Sequence, residues 1–458
     1  MTSSSTLPVV IIGAGPVGLA AAAHTVERGL TPLVLEAGSR IGAGIRRWGH
    51  VRLFSPWKFV VDAAAVQVLS KQGWTMPPAD EYPIGDDLVN QYLEPLAATP
   101  ELAPHVRLNT RVIAVAKDSR DRMKDAGRDD AAFGVRVQTD GGEADIFARA
   151  VIDASGTIEK PGALGASGLP AIGEQSAARF IHYGIPDVLG AERRRYAGRR
   201  VLVAGSGHSA FNALLDLARL ADAVPETRIV WVVRRPTLGQ LLRGTRQDQL
   251  EERGKLGKRV GALLDDGRLE LVTGFRTDRV TTTPSGVIVS AGDRALDPVD
   301  EVIAATGFRP DWSNLSEVRL DLDPAVESPR ALAPLIDPNV HSCGTVPPHG
   351  AEELKQPDAN LFVIGMKSYG RAPTFLMLTG YEQARSVVSA IAGDWEAARR
   401  VELVLPETGV CSTDLSDVAG ACCGTAAPEP VTIAIGGLTA RKSSLAADRP
   451  STLQSSCC

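Results

Sequence analysis

Three glycines, Gly13, Gly15 and Gly18, stand between an apolar run at residues 8–12 and an alanine-rich stretch at residues 19–28. In that setting their spacing builds a phosphate cradle. The first allows a tight turn, the second lets the backbone approach a pyrophosphate, and the third lets helix and strand pack closely. The free N–H groups and positive dipole end of the following helix then attract the phosphates. Glu36, 18 residues past Gly18 at the end of the next apolar run, is placed to accept hydrogen bonds from a ribose hydroxyl. The pattern recurs as Gly205, Gly207 and Ala210 after a second apolar run at residues 200–204. Alanine serves at the third place because that position governs only packing. Here the next strand ends in Arg234 and Arg235 instead of an acid. A guanidinium binds a 2′-phosphate through paired hydrogen bonds whereas a carboxylate repels it, so this site favours NADPH over NADH.

Positioning such turns requires strand–turn–helix–strand units, and the flanking residues supply them twice. Short continuous apolar runs are the mark of strands buried on both faces of a parallel sheet. The predicted fold is therefore α/β, with two dinucleotide-binding, Rossmann-like domains. Strand-like stretches at residues 106–115, 134–139 and 148–154 suggest a meander returning the chain to the first of them. Proline and glycine at residues 162–173 read as a linker, and a second linker is placed at residues 296–300. The expected division is a discontinuous first domain, residues 1–160 and 300–400, a second domain at 161–299, and a tail at 406–458. That tail, rich in Ser, Thr, Ala, Gly and Pro, has too little apolar surface to offset its ordering entropy and is expected to be disordered.

Composition limits the classes of function. The 458 residues are 44% hydrophobic and 22% charged, with 45 glycines, about a tenth against a typical usage of roughly 7%. A net charge of −5 leaves no basic face for a phosphate backbone, so nucleic acid is not an expected partner. No run of 18 apolar residues and no secretory-type start occur, so the chain reads as cytoplasmic, without a membrane span. A small molecule is the expected partner, with a homodimer as the assembly left open.

Segments ending in Gly156, Gly307 and Gly365 are all strand-then-glycine returns. In order with the two glycine turns they resemble the flavoproteins that bind FAD in one such domain and a nicotinamide cofactor in the other. The layout is similar to that of the class B flavin monooxygenases. Residues 183–188, 205–210, 366–375 and 405–411 look closest to the ArsO-type flavoproteins of bacterial arsenic-resistance operons. There is a departure: His182 stands where that class has a linker histidine, but Ser176 and Ala178 replace its Phe and Gly. The resemblance implies FAD in the first domain, against Gly13, Gly15, Gly18, Glu36, Gly156, Gly307 and Gly365. It implies NADPH in the second, and transfer of one oxygen atom from a flavin C4a-(hydro)peroxide, formed with dioxygen, to a small soft nucleophile such as a trivalent arsenical. Candidates for the catalytic substrate wall are Arg52, Trp57, Tyr369 and Arg371, with Trp48 beside them.

The cysteines separate the alternatives. None occurs before Cys343, and five of the six lie in the last 48 residues. Without a thiol pair in the main body, electrons reaching a flavin pass to dioxygen or substrate. Two other readings stay open: a flavin or disulfide reductase discharging through the C-terminal thiols, and a non-enzymatic metalloid-binding protein. Cys343 with His341 and His349 leaves a zinc site one ligand short and matches no zinc module, so no metal is assigned. Cys343, Cys422 and Cys423 are the candidate metalloid thiols, because thiolates bind soft ions well. The letters Leu-Pro-Glu-Thr-Gly at residues 405–409 match a sortase signal but lack the hydrophobic segment that would follow one.

Overall fold

The computed structural model describes residues 6–238, 251–339, 346–373 and 375–403, with backbone alone at 251–254. The expected tail and the thiols Cys343, Cys422 and Cys423 lie outside the described residues. In chain order the strands are β1 (Val9–Ile12), β2 (Pro32–Leu35), β3 (Val106–Arg107), β4 (Arg111–Lys117), β5 (Phe133–Thr139), β6 (Gly142–Ala148), β7 (Ala150–Asp153) and β8 (Ile181–Tyr183). They continue as β9 (Arg200–Ala204), β10 (Arg228–Val232), β11 (Glu270–Val272), β12 (Arg279–Thr283), β13 (Gly286–Ala291), β14 (Arg294–Ala295), β15 (Glu301–Ala304) and β16 (Leu361–Val363).

Two five-stranded sheets carry the architecture, ordered β16-β7-β1-β2-β3 and β11-β10-β9-β15-β8. Their pairings are parallel. The reason is visible in β1, whose four residues are all buried; both faces of a parallel sheet must be covered. One face of the first sheet is covered by the helix Pro16–Glu27 and its neighbours, where Ala20, Ala21, Ala22 and Ala23 are fully buried. The other is covered by the antiparallel sheet β4-β5-β6, through Val115, Phe133, Val135 and Val137. The second sheet repeats the scheme. The helix His208–Ala223 packs on one face, and β12-β13-β14 covers the other through Val280, Val287 and Val289.

One expected boundary moves. The expected first domain includes residues 301–304, after a linker at 296–300, but β15 lies between β9 and β8 in the second sheet. Nor is the segment before it a free linker: Val299 exchanges backbone hydrogen bonds with Val287, and Asp300 accepts from the Arg200 N–H. A short apolar run followed by glycine fits either sheet. Only pairing partners, distant in sequence, decide which one it joins. The meander also gains a strand, β6, missed because its polar residues alternate on an exposed face.

The helix Pro16–Glu27 is anchored by a buried ionic group. His24, 5% exposed, places Nε2 3.1 Å from Asp62 and Nδ1 3.1 Å from Glu27. Burial pulls its pKa down, but hydrogen bonds to Asp62 and Glu27 and their charges prevail and raise it to about 9. Asp62 also caps the helix Ala63–Ser70 by accepting from the Ala65 N–H. A pKa higher in the folded than in the unfolded chain stabilises fully below the unfolded value near 6.5, and that contribution disappears as pH rises through 9. Unfolding free energy should fall by on the order of 3 kcal/mol across that window. Denaturation of the wild type and of His24→Gln between pH 7 and pH 10 checks this; the variant should lack the alkaline loss.

Candidate functional site

The two turns share one geometry at their first two glycines. Gly13 has φ +102° and donates its N–H to Leu35, and Gly205 has φ +134° and donates to Val232. A Cβ on Gly13 would stand 2.9 Å from the Ala154 carbonyl oxygen, and one on Gly205 2.3 Å from that of Ala305. Each turn is thus pressed against the residue that follows a returning strand, β7 or β15. Only glycine tolerates both the positive φ and the approach. At the third position a Cβ on Gly18 would lie 2.0 Å from the Gly13 carbonyl oxygen, which is the helix-to-turn contact expected there.

The second glycine of each turn differs, because Cβ atoms on Gly15 and Gly207 would meet nothing within 4 Å. These are the N-caps of the helices Pro16–Glu27 and His208–Ala223, and neither has a side-chain cap. The N–H groups at the helix starts and the open space in front of them fit a pyrophosphate. Glu36 faces the first cradle. Its carboxylate accepts from the Ala14 N–H at 2.8 Å and the Gly38 N–H at 2.7 Å, which fixes its orientation while lone pairs remain for a ribose. Gly156 and Gly307 both have positive φ and open Cβ positions. The two return segments are stitched together: Gly162 donates to the Gly307 carbonyl, and the Thr306 hydroxyl donates to that of Gly162. Gly365, φ +71°, stands against Val17 on the first helix.

In the second unit Ala210 is fully buried. Arg234 is exposed, with Nη1 donating to the Ala166 carbonyl at 3.1 Å, while the Arg235 carbonyl accepts from the Gly274 N–H. The loop at residues 46–57 reaches this unit from the first. Phe54 packs on the His208 ring at 5.0 Å, and Phe211 and Trp231 continue the aromatic contact to the Gly205 carbonyl, which accepts from the Trp231 indole N–H. The loop beyond Glu36 thereby touches the start of the helix His208–Ala223.

The four wall candidates differ in burial. Trp57 and Tyr369 are buried in the larger core; for large apolar rings burial outweighs exposure on a loop. Arg52 is exposed and bridges Ile84, whereas Arg371 pairs with Glu327 at 2.8 Å. Trp48 is partly buried against the same core. His182 lies on β8, 3.5 Å from Glu192, and burial keeps its imidazole below the ordinary range.

The structure adds residues that the motifs did not single out. Asp153, at the end of β7, and Lys367, just beyond β16, form a buried ion pair at 2.6 Å, with side chains 0% and 2% exposed. The Ser155 N–H and hydroxyl also donate to Asp153. Burial pushes the Asp153 pKa up, but Lys367 and Ser155 hold it below the usual carboxylate range. Ser155 in turn touches the place where a Gly13 side chain would be, so the pair braces the first cradle from behind. A signal existed: opposite charges follow two of the apolar returns, in residues 150–153 and 361–367.

Comparison with known proteins places this geometry. A family model described as pyridine nucleotide-disulphide oxidoreductase matches residues 10–330. The indole-3-pyruvate monooxygenase YUCCA1 of Oryza sativa subsp. japonica is 30% identical over 215 residues, 46% of this chain and 45% of that protein. Ferredoxin–NADP reductase 1 of Cupriavidus necator is 30% identical over 223 residues, 49% and 52% of the two chains. The chain thus spans about half the length of the curated relatives it matches. Among solved structures, the FAD-bound cadaverine monooxygenase DfoA of Erwinia amylovora has a TM-score of 0.60 at 15% identity, covering 88% of this chain and 99% of its own. That likeness concerns the fold.

Proposed function

The chain belongs to the pyridine nucleotide-disulphide oxidoreductase family, and we propose that it is an FAD- and NADPH-dependent monooxygenase. One observation carries the reading: residues 10–330, the part that matches the family, contain no cysteine. No thiol pair there can accept electrons from a flavin, which disfavours an internal disulfide as acceptor and favours dioxygen with an oxidisable substrate. The monooxygenase relatives support this, and the shape of both cradles fits the two dinucleotides. Among the described residues no helix is long and apolar enough to cross a membrane.

When bound, FAD supplies acceptance of a hydride from NADPH and activation of dioxygen. The protein holds and orients. The turn at Gly13, Gly15 and Gly18 and the helix behind it take the FAD pyrophosphate, Glu36 takes the ribose, and the backbone at Gly156, Gly307 and Gly365 borders the remainder. Gly205, Gly207 and Ala210 form the NADPH turn, and Arg234 and Arg235 take the 2′-phosphate. Arg52 and Arg371 supply cationic side chains at the site, with Trp57 and Tyr369 supporting it from the core. Overall, substrate, dioxygen, NADPH and a proton become oxygenated substrate, NADP⁺ and water. The favoured substrate is a small soft nucleophile, and a trivalent arsenical suits it because its lone pair resembles that of a thioether sulfur. The likeness to arsenic-resistance flavoproteins at residues 366–375 and 405–411 supports that choice, with Cys343, Cys422 and Cys423 as capturing thiols.

The test is oxygen uptake with arsenite, a thioether, an amine and a ketone, measured alongside NADPH consumption. Substrate-stimulated uptake, equimolar with NADPH and largest for arsenite, is expected. The ferredoxin–NADP reductase relatives define the rival outcome. Uptake that no substrate stimulates, together with rapid NADPH-driven reduction of a ferredoxin or a disulfide, would make this a reductase.

A further inference from the structure

Behind Gly365 lies a set of buried polar groups that the proposed chemistry does not use. His349, Ser368 and Gln383 are at most 3% exposed. Gln383, on the helix Met377–Ile391, touches all the others. Its Oε1 is 2.7 Å from the Gly365 nitrogen, and its Nε2 is 2.9 Å from His349 Nε2 and 3.0 Å from Ser368 Oγ. The Ser368 hydroxyl donates to the Gly365 carbonyl at 2.7 Å. His349 Nδ1 lies 3.1 Å from the Pro347 carbonyl oxygen.

Backbone groups determine the polarity at both ends of this chain. The Gly365 N–H can only donate, so the amide atom facing it must be oxygen and the Gln383 NH₂ must face His349 and Ser368. The Pro347 carbonyl can only accept, so His349 Nδ1 carries the proton and Nε2 offers a bare lone pair to Gln383. A second proton on His349 breaks the pattern. Two donors would then face each other at Nε2. Turning the Gln383 amide over relieves that clash but sets its NH₂ against the Gly365 N–H. Protonated His349 and the Gly365 N–H thus compete for one oxygen atom.

We propose that His349 and Gln383 are positioning residues for the FAD site, holding the Gly365 turn in its left-handed conformation only while His349 is neutral. The proposal rests on the assignment of Gly365 to FAD. Independent geometry favours that assignment, since Gly365 abuts Val17 on the helix whose N-terminus forms the first cradle. The groups around the imidazole favour the neutral form. Burial lowers its pKa below the ordinary 6.5, against the Pro347 hydrogen bond and the charges of Glu353 and Glu382. Those carboxylates are engaged elsewhere, Glu353 by the Gly350 N–H and Glu382 by Arg385. The ring of Tyr369, which is neutral, lies 5.6 Å away. FAD affinity is therefore full above pH 6.5 and falls as the pH drops through the imidazole pKa.

The full chain is to be titrated with FAD at pH 7.5 and pH 5.0, with its melting temperature recorded at both. The wild type should bind FAD more weakly at pH 5.0 than at pH 7.5, and the ratio grows as the pH falls further through the imidazole pKa. His349→Gln, whose amide oxygen can accept from Gln383 and does not titrate, should change by less than about threefold. Parallel losses in both proteins would overturn the proposal. Should the variant fold poorly, the His349 ring is titrated by NMR in the wild type with and without FAD. Linkage requires that FAD lower its pKa, and an unmoved pKa would overturn the proposal. A chain that takes up no FAD at any pH would instead refute the assignment of the cradle itself.

Discussion

Gly15→Ala should fold normally and purify without flavin. Its backbone, φ −82° and ψ −175°, is extended and open to any residue, and its Cβ would touch no protein atom within 4 Å. The added methyl would instead enter the space that the turn is shaped to offer a pyrophosphate. FAD affinity should fall by about 100-fold, near 2.7 kcal/mol, while stability stays within about 0.5 kcal/mol of the wild type. Flavin absorbance per mole of protein and a thermal melt report the two quantities. Gly18→Ala is the useful contrast. Its methyl would collide with the Gly13 carbonyl oxygen, so it should lower the melting temperature as well as the flavin content. Full flavin occupancy in Gly15→Ala would remove the first turn from the site.

The second large effect is expected at Lys367. Replacing it with Met leaves Asp153 buried without its cation, and removing one partner of a buried pair costs about 3–5 kcal/mol. Replacing both partners, in Asp153→Asn/Lys367→Met, should recover most of that loss, because the desolvation of two charges is removed together. Denaturant midpoints of the single and double variants measure the difference. Acid gives a second reading. The Asp153 pKa is depressed on folding, so the pair's contribution is present above the usual carboxylate value and is lost as the pH falls through the depressed one. If the single variant is as stable as the double, the pair does not brace the cradle.

Alignment of the two glycine turns shows how far local order reaches. Gly13 and Gly205 each follow a buried strand and precede a helix, and both adopt positive φ because the tight strand-to-helix turn, pressed on a returning backbone, admits no side chain. Glu36 was equally legible, since its distance from the turn is set by one helix and one strand. The strand β15 was not. Its residues suit any buried parallel strand, and its place beside β9 depends on pairings with residues a hundred positions away. Trp57 and Tyr369 illustrate the same limit. Aromatic side chains on loops suit a substrate wall or a core, and the packing of distant helices chose the core.

By itself, then, the order of residues determined two strand–turn–helix–strand units, a body without cysteine before residue 343, and an acid at the end of one strand against arginines at the end of the other. Each of these is a matter of neighbours within a few dozen residues, where backbone geometry and helix period suffice. Tertiary structure alone decided that Asp153 meets Lys367, that Gln383 joins His349 to Gly365, and that Phe54 rests on His208. Those contacts join residues separated by 18 to 214 positions. Which polar groups are buried together depends on how the sheets and helices stack, which spacing along the chain does not encode.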